Sequence, residues 1–147
     1  MKNSIFKSVA AVVALMLATA DAGAAAAASS YAAMTVDNTT TVNLNYVSSS
    51  CIGTIVPSSW PTPITSGNSS LVTATSTTTS NGCSVTYKKA DGTGNCKWVA
   101  TRIESGLPPA AWNYPTVNIT TTGSITCTDT ITSVLTNGDW AVTLKAH

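Results

Sequence analysis

Cys51, Cys83, Cys96 and Cys127 carry the most definite chemistry in this chain of 147 residues. Their number is even, no two form a Cys-x-x-Cys pair, and the single histidine, His147, is the last residue. In an exported chain that pattern specifies two disulfides rather than a Cys/His zinc site, with three pairings open. Catalytic arrangements are missing. A Ser-His-Asp or Cys-His relay needs a positioned imidazole, and a histidine at a terminus is expected to fray. Glycosidic hydrolysis needs two facing carboxylates from Asp37, Asp91, Asp129, Asp139 and Glu104. Asp91 and Asp139 stand in or beside glycine turns, where aspartate serves the backbone. Asp91-Gly92-Thr93-Gly94-Asn95 has too few oxygen ligands for a calcium loop and lacks the lysine and helix of a phosphate loop. The expectation is a protein that is not an enzyme, without catalytic residues, metal or cofactor.

Two proline-stiffened loops carry aromatic rings: Pro57 to Pro63 with Trp60, and Leu107 to Pro115 with Trp112 and Tyr114. Exposed, these three rings form a rigid amphipathic platform for stacking on sugars or settling into a membrane interface. Folded down, they are lids over the ends of the domain. Trp98 and Trp140 fall on the apolar parity of their segments and are expected in the core.

The elements that must position these residues are strands. Val36, Val42, Leu44 and Tyr46 share one parity, and Thr35, Asp37, Thr39, Thr41, Asn43 and Asn45 the other, which predicts a half-buried strand over residues 34 to 47. Asn38 and Thr40 interrupt its apolar face. Cys51 to Val56 and Ser69 to Thr79 read as further strands. Asn81-Gly82 reads as a turn, and residues 83 to 103 as a hairpin with its tip at Asp91 to Gly94. Residues 104 to 115 form a loop. Alternation resumes at Val117, Ile119 and Thr121, Gly123 turns the chain into Ile125 and Cys127, Thr130 to Leu135 follows, and Asn137-Gly138 turns into a last strand with Trp140, Val142 and Leu144. No helical stripe occurs after residue 30. The fold class is all-β, an antiparallel β-sandwich of about eight strands, immunoglobulin-like or related, with a small β-barrel as the alternative.

Ahead of this domain, Lys2 and Lys7, the apolar run Val9 to Ala20 and the small-x-small triplet Ala20-Asp21-Ala22 read as an export signal over residues 1–28, cleaved between 22 and 28. Residues 29–147 then form one domain, and no membrane-spanning segment follows cleavage. The destination is extracellular or the cell surface, by way of the periplasm in a bacterium. Beyond Ser29, Lys88, Lys89, Lys97, Lys145 and Arg102 balance Asp37, Asp91, Asp129, Asp139 and Glu104. With one adjacent basic pair, Lys88-Lys89, a nucleic-acid footprint is excluded. So little charge leaves the surface to Ser, Thr and Asn. Ser and Thr total 44 of 147 residues, so the triplets starting at Asn38, Asn68 and Asn118 match the roughly three glycosylation sequons that ten asparagines give by chance.

The segment from Tyr31 to Cys51, an alternating strand after a short leader and ending in the first cysteine, resembles the N-terminal extension of exported fimbrial subunits of the chaperone-usher type. The chain departs from that family in having four cysteines and no aromatic C-terminal ending. The resemblance implies an immunoglobulin-like sandwich polymerised by strand exchange, with Val36, Val42, Leu44 and Tyr46 as the exchanged face. Pairing within its own domain is the other reading of that strand. Two functions follow: a structural or adhesive subunit whose partners are copies of itself or surface proteins, and a monomeric module that binds glycan or lipid through Trp60, Trp112 and Tyr114.

Overall fold

The computed structural model describes residues 28–106 and 108–147. The export-signal reading falls on residues 1–27, outside the described residues. Among the described residues nine strands form: β1 (Ser30–Asn38), β2 (Leu44–Ile52), β3 (Thr54–Val56), β4 (Ser69–Ser76), β5 (Ser80–Lys89), β6 (Gly94–Ile103), β7 (Thr116–Gly123), β8 (Cys127–Val134) and β9 (Trp140–Ala146). They assemble into a five-stranded sheet, β3-β4-β1-β9-β8, and a four-stranded sheet, β2-β5-β6-β7. The result is the expected all-β sandwich, and the two sheets do not close into a barrel. All pairings are antiparallel except that of β1 with β9, which is parallel.

Period-two patterning is the cause of the two layers. In β1, Ala32, Met34 and Val36 are fully buried while the intervening residues face outward. Val72 and Ala74 of β4 and Val142 and Leu144 of β9 join them from the same sheet. From the other sheet come Val85, Tyr87, Trp98 and Ala100. Trp98 and Trp140 are core residues, as their parity requires. Each large side chain so placed contributes about 1.5–3 kcal/mol by leaving water.

The predicted strand over 34 to 47 is two strands in different sheets. β1 ends at Asn38, residues 39–43 turn, and β2 begins at Leu44 in the opposite layer. The polar interruptions at Asn38 and Thr40 are the turn itself. The Asn38 amide is fully buried and donates to the carbonyls of Val42 (2.9 Å) and Ile64 (2.8 Å), while its oxygen accepts from the backbone N–H (3.0 Å) and hydroxyl (2.8 Å) of Thr40. A buried amide with every bond made fixes one turn geometry. β1 itself begins at Ser30, so Tyr31 to Ala33 are already paired strand.

Asn81-Gly82 is not a turn either; both residues lie inside β5. Gly82 is there because the backbone of β6 passes so close that a Cβ would overlap the Ala100 carbonyl oxygen, and its φ is +125°. The disulfides are Cys51–Cys83, between neighbouring strands of one sheet, and Cys96–Cys127, which joins β6 to β8 across the two sheets. Two disulfides fit an oxidising, extracellular or periplasmic environment. Among the described residues no helix is long and apolar enough to cross a membrane.

Candidate ligand cleft

One end of the sandwich is organised by an arginine on the core parity of β6. Cys96, Trp98 and Ala100 point inward, and Arg102 continues that row, 3 % exposed. A buried guanidinium must spend its donors. Nε donates to the Asn113 carbonyl (2.8 Å), and Nη1 to the carbonyls of Leu135 (2.7 Å) and Asp139 (3.0 Å). Arg102 thereby straps the loop before β7 to the turn between β8 and β9. Burial pulls its pKa down, and the nearby Asp139 carboxylate opposes that.

Its cross-strand partner Asn81 is fully buried and serves the same end. The Asn81 oxygen accepts from Trp140 Nε1 (2.7 Å), and its amide donates to Ser30 Oγ (2.7 Å) and the Gly138 carbonyl (3.2 Å). The loop from Glu104 is further closed by an antiparallel bridge between Glu104 and Trp112 and by Glu104 N–H donating to the Thr79 carbonyl (2.7 Å).

These contacts set the Trp112 ring. The Arg102 guanidinium carbon lies 5.7 Å from the ring centroid, and Gly138, with φ +98°, packs against the indole where a Cβ would overlap it. The ring is half-buried and forms one wall of a cleft of about 420 Å³. Thr77, Thr78 and Thr79, Glu104 and Asn137 supply the polar walls. Among the described residues Glu104 makes no ion pair. The cleft therefore offers an aromatic edge, several hydroxyls, an amide and a carboxylate within one concavity.

The second tryptophan loop lies elsewhere. Trp60 is 4 % exposed and packs edge-on against Tyr87, with ring centroids 6.4 Å apart. Tyr87 donates to the Pro61 carbonyl (2.7 Å) and meets Tyr46 edge-on at 6.0 Å. Trp60 is thus a lid. Among the described residues its Nε1 has no hydrogen-bond partner, and a smaller cleft of about 320 Å³ beside it is lined by Tyr46, Ser49, Ser58, Ser59 and Thr62. Asn81 and Tyr87 sit six residues apart on β5, so the two aromatic loops lie about 20 Å apart at opposite ends.

Trp60, Trp112 and Tyr114 therefore do not share one platform. Tyr114 is 67 % exposed and lines neither cleft. The residues read as an exchanged face are also divided: Val36 is buried in β1, Val42 is half-buried in the turn, and Leu44 and Tyr46 belong to β2 in the other sheet. His147, expected to fray, exchanges backbone hydrogen bonds with Thr126 (2.9 and 3.1 Å), and its Nε2 lies 2.9 Å from Thr128 Oγ1. Among the described residues no three His, Cys, Asp or Glu side chains converge as metal ligands. Arg102 and Asn81 escaped the sequence reading, although both lie on the inward parity of their strands, and a charged or amide residue there signals a buried network. Comparison with protein-family models and with curated proteins finds no match to this chain.

Proposed function

We propose that the protein is an exported, non-enzymatic binding protein that takes a neutral glycan in the Trp112 cleft. The observation that carries this reading is the half-buried indole of Trp112, fixed by Arg102 and Gly138 beside the hydroxyls of Thr77, Thr78 and Thr79, Glu104 and Asn137. Sugars present apolar C–H faces to an aromatic ring and hydroxyls to amide, carboxylate and hydroxyl partners. A lipid chain would leave those polar walls unpaired, which favours glycan over lipid. Titration calorimetry against a panel of neutral oligosaccharides tests it. Glu104→Ala, at a side chain with no ion pair among the described residues, is expected to abolish binding with the thermal transition kept, and Tyr114→Ala to leave binding unchanged. Equal binding by Glu104→Ala overturns the assignment.

A structural subunit assembled by strand exchange is the second reading, favoured by β1 being hydrogen-bonded on both sides while its neighbour in sequence lies in the other sheet. Withdrawal of β1 would open a slot between β4 and β9 for an equivalent strand. The fully bonded Asn38 turn supports the closed arrangement instead. Limited proteolysis decides between them: a β1 that resists cleavage in a particle of single-chain mass excludes exchange.

A further inference from the structure

Edge strands expose unpaired backbone groups, and folded proteins guard them with bulges, charges, prolines, short strands or covering loops. Three of the four edges here are guarded. β3 has three residues and is followed directly by Pro57. β8 carries Asp129 and a register shift between Ile131 and Ser133, and its Thr128 carbonyl accepts from Trp98 Nε1 (3.1 Å). β2 is bulged between Tyr46 and Ser48 and covered, because Leu44 exchanges backbone hydrogen bonds with Ile64 and Tyr46 N–H donates to Thr62 Oγ1 (3.1 Å).

β7 is the least guarded: Pro115 directly precedes it, but its own residues, Thr116–Gly123, carry no charge, proline or bulge and hold continuous register with β6. Which of its groups are free follows from β2. Tyr46 turns its N–H away from β5, so its partner Tyr87 turns toward Cys96 of β6, and Cys96 in turn leaves Thr121 facing outward. By the same alternation the outward N–H and C=O groups belong to Val117, Ile119 and Thr121. Among the described residues no backbone hydrogen bond reaches them from that side.

We propose that this edge pairs with β7 of a second copy, antiparallel about a twofold axis near Ile119, so that two four-stranded sheets become one of eight. The strand's composition selects this occupant. Thr116, Asn118, Thr120 and Thr122 are exposed, neutral and mostly β-branched, and Thr/Thr and Thr/Asn cross-strand pairs suit two such strands equally. A charged partner strand would find no counter-charge on β7. The nearest like charges, one Lys97 per copy on β6 opposite Thr120, would lie three strand spacings apart, about 14 Å, which exceeds the screening length of about 8 Å.

Thr121→Pro removes one outward donor and no β6 bond, which is the way an edge strand tolerates proline. Thr120→Lys places like charges beside the proposed axis. The full exported protein, produced in a host without N-glycosylation so that Asn118 stays bare, is examined by sedimentation equilibrium through the micromolar range and by amide hydrogen exchange. The wild type is expected to have twice the chain mass, with the Val117, Ile119 and Thr121 amides protected. Each variant is expected to weigh one chain, to show those amides (where present) exchanging at least tenfold faster, and to unfold in one cooperative thermal transition, with the midpoint lowered by loss of the partner. A wild type that stays monomeric throughout, or a dimer that survives both substitutions, overturns the proposal. If one variant fails to fold, the other decides by the same readouts.

Discussion

Replacing Arg102 by lysine keeps the charge and removes the fork that ties two loops together. The guanidinium satisfies three backbone carbonyls, Asn113 through Nε and Leu135 and Asp139 through Nη1. A lysine ammonium is one point on a shorter reach and serves one side of that pair, so one to two charge-assisted bonds are lost at about 1.5–3 kcal/mol each. The expected cost is about 3 kcal/mol. For a domain spanning residues 28–147 the unfolding entropy is about 0.25 kcal/mol/K, so the midpoint falls by about 12 °C. Scanning calorimetry measures it directly, and calorimetric titration of the Trp112 cleft should show weakened binding in parallel, since the same bonds hold both walls. Asp139→Asn is the matched control. Arg102 is held by the Asp139 backbone oxygen, and an asparagine oxygen still accepts the Tyr31 N–H (2.8 Å in the native chain); the bond from Asn137 Nδ2 (2.9 Å) and the carboxylate's support of Arg102 are lost, so its effect should be about 1 kcal/mol, well below that of Arg102→Lys. A loss of less than about 1 kcal/mol for Arg102→Lys would refute the strap, because it would mean that water satisfies the carbonyls equally well.

The disulfides close loops of nearly equal span, 32 and 31 residues, so chain entropy assigns each about 3.7 kcal/mol although one joins adjacent strands and the other joins two sheets. Paired Cys→Ala variants compared in urea should therefore lose similar stability, and losses differing by more than about 1.5 kcal/mol would show that native packing dominates. Burial, with Tyr46 adding to it, holds the Tyr87 hydroxyl far above the ordinary phenol range. The unfolded chain then ionises first, so the stability due to neutral Tyr87 is intact below about pH 10 and drains above it by no more than about 1.4 kcal/mol per pH unit. Tyr87→Phe should flatten the alkaline limb of the stability curve while costing about 1 kcal/mol at neutral pH for the lost bond to Pro61, and an unchanged limb would refute the assignment. Gly82→Ala forces a Cβ onto the Ala100 carbonyl and should cost about 3 kcal/mol or more of unfolding free energy in urea; a neutral result would contradict the β5/β6 register.

Parity was legible wherever one face of a strand meets a core, which is why the rows Cys83, Val85, Tyr87 and Cys96, Trp98, Ala100 read correctly. Parity alone does not say where one strand stops. The alternation runs through Asn38 and Thr40 without a glycine or proline, and the turn is made by side-chain bonds to Val42 and Ile64 that depend on a segment over twenty residues away. At Asn81-Gly82 a sequence that elsewhere makes hairpins was overruled by the close approach of β6. The cleft is the least legible part. Arg102 and Glu104 close the end of β6 and meet Trp112 through a local bridge, but Asn137 and Gly138 come from the β8/β9 turn in the other sheet, and that convergence is a property of strand order.

β1 lies beside β9, and Tyr31 N–H bonds to Asp139 across 108 positions of chain. A polypeptide that leaves its synthesis machinery N-terminus first must therefore carry this strand with one edge unsatisfied until β9 emerges. Loop closure over that span makes folding slow, in the millisecond-to-second class of non-local β proteins. A chain truncated before Trp140 leaves β1 paired on one side only, by β4, with the β9 half of its backbone bonds unmade.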